Sequence, residues 1–185
     1  MEREKKWVKL DSEYIIKRPW LTARRDKIQM PDGRVIPEYY VLEYPTWINI
    51  IALTKEGKMI MIKQYRYALG IDKYELCAGT MDGTDESPLD TAKRELLEET
   101  GYGNGNWSEF MVLSPNPTSM TNLCYTFLAT DLEKTGDQKL DDTEDLTYHL
   151  MDEEDVYRLL QDGEIMQALM AAPLWKYFST KKKTI

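Results

Sequence analysis

Between Gly79 and Tyr102 the chain reads GTMDGTDESPLDTAKRELLEETGY, and no other stretch restricts its folding as tightly. Ser87 followed by Pro88 marks a helix start. A serine hydroxyl suits the N-cap, and proline's fixed φ and missing N–H are harmless at the first helical position. Gly101 suits the place just past the end, where the backbone turns left-handed. A helix over about residues 88–100 is therefore expected, entered from a glycine-bearing loop. At roughly 100° per residue, Glu98 lies about 60° to one side of Glu95 and Glu99 about 40° to the other, so three carboxylates share a face. Leu89, Ala92, Leu96 and Leu97 fall on a different arc, suited to a core.

Two readings of that face stay open from the helix alone. Acidic residues at i, i+3 and i+4 in solvent cost only about 0.2–0.5 kcal/mol per like-charged pair, and Asp90 can pair with Arg94 one turn on. Alternatively, three carboxylates beside a loop with free backbone carbonyls are the hard oxygen ligands that Mg²⁺ or Mn²⁺ takes.

At 185 residues the chain can bury a sizeable core. A net charge of −8 argues against a nucleic-acid partner, which calls for clustered Lys and Arg. An acidic protein can still handle a small phosphate ester if metal ions bring the positive charge. The single histidine, His149, excludes a His-rich zinc site. Cys77 and Cys124 sit in apolar runs without metal spacing and read as buried free thiols. No apolar run is long enough to cross a membrane, and the start MEREKK carries no apolar signal core, so a cytoplasmic protein is expected. Lys181–Lys183 reads as a solvated tail.

Along the chain, residues 6–45 read as short strands with a turn at Pro31-Asp32-Gly33, and the charged piece from Thr22 to Lys27 as a strand or loop edge. Trp47 to Thr54 and Met59 to Tyr65 read as a hairpin about Lys55-Glu56-Gly57-Lys58. Tyr74 to Ala78, Glu109 to Leu113, Leu123 to Ala129 and residues 145–150 read as further strands, with an acidic loop from Thr135 to Thr143. Asp152 is expected to cap a helix to Gln161, and a last helix to run from Gly163 to Phe178, bent or interrupted at Pro173.

Glu86, seven residues, then Arg94-Glu95-Leu96-Leu97-Glu98-Glu99-Thr100-Gly101 resembles the signature of the Nudix hydrolases. Two departures are visible. One extra residue stands between Gly79 and Glu86, around Asp82-Gly83, and Tyr102 replaces an aliphatic residue. Gln64-Tyr65-Arg66, the run Tyr74-Glu75-Leu76-Cys77-Ala78-Gly79 (with Cys77 in place of a proline), Pro115 or Pro117, Asn116 to Asn122 and Leu140 to Leu146 resemble the branch that cleaves ADP-ribose and nucleotide sugars.

The resemblance implies an α+β Nudix fold, an α/β/α sandwich with a mixed sheet over residues 46–180. It would be preceded by an antiparallel β segment over 1–45 and followed by a tail over 181–185. It implies Mg²⁺ or Mn²⁺ held by Glu95, Glu98, Glu99 and the Ala78 carbonyl. On the resemblance, the base that activates water would be Glu144 first and Asp142 second, on the loop before the last strand, or else a glutamate of the signature (the Nudix box) such as Glu98. Arg94 would brace the box by pairing with a carboxylate such as Glu86. Arg66, Gly79 and Trp47 would meet the substrate. Arg66 can equally be a surface cation at a strand end, and Trp47 a core or interface residue.

The expected function is a Mg²⁺-dependent pyrophosphatase converting ADP-ribose, or a related nucleoside diphosphate sugar, to a nucleoside monophosphate and a sugar phosphate. The alternatives are GDP-mannose, a dinucleotide or an oxidised nucleoside triphosphate as substrate, or a sensor that binds ADP-ribose without cleaving it. In related enzymes the N-terminal segment builds a homodimer, for which Trp7, Tyr14, Trp20, Tyr39 and Tyr40 are available here.

Overall fold

The computed structural model describes residues 6–181; the start at 1–5 and positions 182–185 of the expected tail lie outside the described residues. Three antiparallel strands come first, β1 (Val8–Arg18), β2 (Leu21–Gln29) and β3 (Val35–Glu43), paired in that order. They are longer than expected. The charged piece from Thr22 to Lys27 lies inside the central strand β2, not at an edge. Ion pairing makes this tolerable: Arg24 meets Asp26 of its own strand at 3.0 Å and Glu43 of β3, and Arg25 bridges Glu13 of β1 at 2.7 Å and Glu38 of β3 at 2.8 Å. The β2–β3 turn falls at Pro31-Asp32-Gly33, with Gly33 at φ 89°. Ser114–Leu123 clusters with this first unit, where the Leu42 amide donates to the Ser119 carbonyl at 2.7 Å. Every residue of β1 is exposed.

The second unit comprises Thr46–Leu113 and the chain from Cys124 onward. Its elements are β4 (Trp47–Thr54), β5 (Met59–Arg66), β6 (Ile71–Thr80), α1 (Pro88–Thr100), β7 (Tyr102–Gly103), β8 (Asn106–Leu113), β9 (Cys124–Lys134), β10 (Leu146–Met151), α2 (Glu153–Gln161) and α3 (Ala168–Lys181). The strands form a mixed sheet in the order β10-β5-β6-β4-β9-β7, with β8 on β9; β4 and β9 run parallel.

The period-two alternation of side chains sorts two cores. Ile48, Ile50, Ile60, Ile62 and Cys77 pack with Ala92 and Leu96 of α1, while Ile51, Met59, Met61 and Leu76 pack with Val156, Leu160, Leu174 and Phe178 of α2 and α3. A helical layer on each face gives the expected α/β/α sandwich and explains why β4 is apolar apart from Asn49 and the closing Thr54.

Three local expectations are corrected. The 47–65 segment turns where expected, at Gly57 (φ 76°), but β4 and β5 pair only at Leu53 and Met59. Strand β6 enters between them, pairing with β5 from Ile71 to Leu76 and with β4 from Cys77 to Thr80. The sheet therefore splays at Leu76-Cys77. Asp152 precedes α2, but its side chain makes no capping bond and instead pairs with Lys58 at 2.7 Å.

Helix α3 begins at Ala168 rather than Gly163 and runs through Pro173 without a break. A proline inside a helix leaves the carbonyl four residues earlier without its donor. Here that carbonyl belongs to Leu169, and the buried Asn49 amide donates to it at 2.8 Å. Lys181, expected in the tail, ends α3 and pairs with Glu153 at 2.6 Å. Among the described residues no helix is long and apolar enough to cross a membrane.

Candidate active site

Both ends of α1 form as the residues dictate. The Ser87 hydroxyl accepts from the Asp90 amide at 3.3 Å, and Gly101 is left-handed at φ 69° with its N–H on the Leu97 carbonyl. Asp90 bonds to Ser87 at 2.6 Å, so it does not serve Arg94. The tyrosine at 102 is accommodated by Lys134. Its ammonium lies 5.4 Å from the Tyr102 ring and 4.7 Å from the Tyr148 ring, and donates to the Thr100 carbonyl at 2.6 Å. A cation at a helix C-terminus is favourable by about 0.3–1 kcal/mol.

The arc expected to face a core does so at Ala92 and Leu96, with Leu89 packed against it, but not at Leu97. Leu97 is 44% exposed, whereas Glu95 and Glu99 are 9% and 6% exposed. The solvated-face reading therefore fails for these two glutamates, and only Glu98 remains half-buried. Burial disfavours ionisation. It pushes Glu95 up to about 7, with Arg94 opposing. Burial, then the Glu95 and Glu144 charges, push Glu99 up to about 8, while hydrogen bonds from the Cys77 thiol and the Ala78 amide (3.4 Å) pull the other way.

Gly79 permits this approach of helix to strand. A Cβ there would lie 2.1 Å from Glu95 Cδ and 2.2 Å from its Oε1. Two carboxyls are thus pressed against the backbone at Ala78-Gly79, on the segment where β6 changes partner.

Arg94 ties the loop to the helix. Its guanidinium meets Asp85 at 2.9 Å, Glu98 at 3.0 Å, Glu95 at 3.1 Å and the Thr80 carbonyl at 3.4 Å. The expected partner Glu86 is replaced by Asp85. Glu86 faces solvent, while Asp85 is turned inward and also accepts from Thr91 at 3.0 Å and the Asp82 amide at 3.1 Å. Arg94 holds the Asp85 carboxyl well below the usual carboxylate range.

A cavity of about 580 Å³ opens at the splay of the sheet. Trp47, Arg66, Ala78, Gly79, Glu99 and Glu144 line it. Asp142 is exposed and does not line it, and Glu98 is turned to Arg94. One Glu144 oxygen accepts from the Asp141 amide at 3.0 Å. Among the described residues, no three Asp, Glu, His or Cys side chains converge into a ready-made cation cage. The donor set nevertheless fits a hard divalent ion, being oxygen throughout: two buried carboxyls, a third one turn away and a strand carbonyl.

Glu75 was not anticipated as a site residue. It is buried at the cavity and takes the Arg66 fork, Nε at 2.9 Å and Nη2 on its other oxygen. Its sequence signals were a glutamate beside the apolar run of β6 and its place in the Tyr74–Gly79 run that carries the resemblance. Asn49, inside the still more apolar β4, gave the same kind of signal.

A mixed sheet between helical layers, with two buried glutamates of a capped helix against the strand backbone beside a splayed-strand cavity, defines a class of α/β/α folds with an oxygen-rich site. Comparison with known proteins narrows it. A NUDIX domain matches residues 44–172, and a nucleoside diphosphate sugar hydrolase N-terminal domain matches residues 7–42. An ADP-ribose pyrophosphatase of Mycobacterium tuberculosis is 31% identical over 80% of this chain and 72% of its own. One from Bacillus subtilis is 29% identical over 79% and 78%. A GDP-mannose pyrophosphatase of an Enterobacter strain is 27% identical over 60% and 61%. A solved structure described as an ADP compounds hydrolase superposes with a TM-score of 0.83 at 21% identity, covering 97% of this chain and 96% of that one. The chain belongs to the Nudix family.

Proposed function

We propose that this protein is a divalent-metal-dependent pyrophosphatase of nucleoside diphosphate sugars, with ADP-ribose its foremost substrate. The observation that carries the reading is the pair Glu95 and Glu99, buried against Ala78-Gly79, with Glu99 lining the cavity. Burying two neighbouring carboxyls is costly unless the site gains a cation. Relatives named for ADP-ribose support the choice of substrate, and the one named for GDP-mannose supplies the second candidate.

In this reading Glu95, Glu99, Glu98 and the Ala78 carbonyl hold Mg²⁺ or Mn²⁺, which supplies the positive charge a diphosphate needs beside an acidic wall. Glu144, at the cavity, takes the proton of the attacking water; Asp142 and Glu98 are the lesser candidates. The water oxygen bonds to one phosphorus as the bridging P–O bond breaks, releasing AMP and ribose 5-phosphate. Arg66 directs its charge toward the phosphates from beside Glu75, Gly79 lets the chain approach them, and Trp47 offers an aromatic face. Arg94 braces the loop through Asp85.

The N-terminal unit, with β1 exposed throughout and Trp7, Tyr14 and Trp20 at its surface, is proposed to build a homodimer and to complete the partner's pocket. Sedimentation at several concentrations tests that role, and a monomer at every concentration refutes it. The buried free thiols Cys77 and Cys124 suit a reducing, cytoplasmic setting.

The activity is tested by incubating the protein with Mg²⁺ and a panel of ADP-ribose, GDP-mannose, a dinucleotide and an oxidised nucleoside triphosphate, reading phosphorylated products. Glu99→Gln should lower turnover by about 10²–10⁴-fold. A wild type that binds ADP-ribose but turns over none of the panel would make it a sensor instead.

A further inference from the structure

Asn49 of strand β4 has one end of its amide buried in the protein and the other open. It is 2% exposed and lines the cavity. Both N–H bonds are taken: Nδ2 donates to the Leu169 carbonyl at 2.8 Å and to Cys124 Sγ at 3.3 Å. A carbonyl can only accept, so the amide cannot be turned round, and Oδ1 is fixed as the far end. Among the described residues no protein donor meets that oxygen. Nor is it sealed in, since the buried polar atoms without a partner are those of Asn122. The Asn49 oxygen therefore opens on the cavity.

Its position narrows what it can meet. Asn49 stands opposite Ala78 in the β4–β6 pairing, and residues so paired lie about 4.5–5.5 Å apart. The proposed metal site uses the Ala78 carbonyl, so a diphosphate bound there is seated beside Asn49. Phosphate oxygens accept hydrogen bonds, as Oδ1 does, and the two cannot bond. The group joined directly to the diphosphate of a nucleoside diphosphate sugar is a sugar, whose hydroxyls donate. Leu69, Ile71, Leu76 and Leu169 line the same cavity with side chains that accept no hydrogen bond.

We infer that Asn49 is a specificity residue: its Oδ1 accepts a hydrogen bond from a sugar hydroxyl next to the scissile diphosphate, so the site selects nucleotides by that sugar. The inference rests on the proposed pyrophosphatase reading and names the part of the substrate that Asn49 reads. The hydroxyl belongs to the terminal sugar or to the nucleoside ribose, and the choice of substrates tells the two apart.

The test is kcat/KM on ADP-ribose, on the methyl ester of ADP, which lacks the terminal sugar, and on ADP-ribose built from dideoxyadenosine. Pro173→Ala is the reference, because its helix gives Leu169 a donor and Asn49→Leu then orphans no carbonyl. Ratios between substrates cancel any loss of folded enzyme. Adding Asn49→Leu should lower kcat/KM for ADP-ribose and its dideoxy counterpart about tenfold, the effect of one unpaired hydroxyl, and change the methyl ester less than about twofold. That result puts the hydroxyl on the terminal sugar. An equal loss on ADP-ribose and the methyl ester, with the dideoxy compound spared, supports the inference with the nucleoside ribose as donor. Equal losses on all three, or none on any, overturn it. If Asn49→Leu does not fold, Asn49→Ser, too short to reach the same hydroxyl, is read by the same ratios. A wild type that cleaves none of the three overturns the pyrophosphatase reading instead; dissociation constants then replace rates and are read in the same way.

Discussion

A methyl group added at Gly79 would lie 2.1 Å from Glu95 Cδ, and one at Gly101 would lie 2.2 Å from the Gly136 carbonyl oxygen. The two substitutions should fail differently. At 79 the obstacle is the far end of a flexible side chain, so Glu95 swings aside and the fold survives. Displacing a metal-facing carboxylate by an ångström or more should cost about 100-fold in turnover. At 101 the obstacle is backbone, and the residue is also left-handed at φ 69°. Gly101→Ala should therefore destabilise by about 2–4 kcal/mol. Urea denaturation beside turnover assays separates the cases. A Gly79→Ala variant that keeps its activity would show that Glu95 need not stand where it does.

Element by element, the most informative coupling runs between strand β4 and helix α3. Pro173 leaves the Leu169 carbonyl without its helical donor, and Asn49, 2% exposed, replaces it. Asn49→Leu should cost about 1–3 kcal/mol, the penalty of an unpaired buried acceptor. In a Pro173→Ala background the helix supplies its own N–H, so the cost of Asn49→Leu should shrink by about 1 kcal/mol or more. Additive losses in that double-mutant cycle would refute the link.

The same region shows what sequence reading reaches. Proline reads as a helix breaker because its local effect is fixed, while the amide that compensates comes from 120 residues away in the chain. The ends of α1 were legible because Ser87, Pro88 and Gly101 act locally. Its buried face was legible at Ala92 and Leu96 but not at Leu97, Glu95 and Glu99, since amphipathic reasoning assigns Glu to water and Leu to the core. At this site the functional carboxyls take the inner face and Leu97 the outer one. The box glutamates were legible by their spacing. The Arg94 partner was missed by one residue because the loop holding Asp85 has the extra residue. Glu75 was missed because its partner, Arg66, lies across a strand pair.

For the molecule as a whole, the buried pair Glu95 and Glu99 ties stability to pH and to divalent cations. In the folded chain they release protons at about 7 and about 8, against 4.5 for an ordinary glutamate. The folded state thus binds more protons than the unfolded state across that interval, and stability falls with rising pH wherever this holds. Chelator-treated protein should be most stable near and below the ordinary value, lose stability as pH climbs through neutrality, and level off above the folded values. With a single histidine in the chain, few other groups titrate in this window to blur the trend. A cation that binds the ionised carboxylates should reverse it, adding about 2.7 kcal/mol at a hundredfold excess over its Kd. Because the ligands must lose their protons first, the gain in melting temperature from Mg²⁺ should grow with pH. Glu95→Gln with Glu99→Gln should flatten both dependences. Melting curves across pH, with chelator or with Mg²⁺, read this directly. A chelated wild type that grows more stable from about pH 5 to about pH 8 would contradict the burial of these two carboxyls as the controlling charge in the fold.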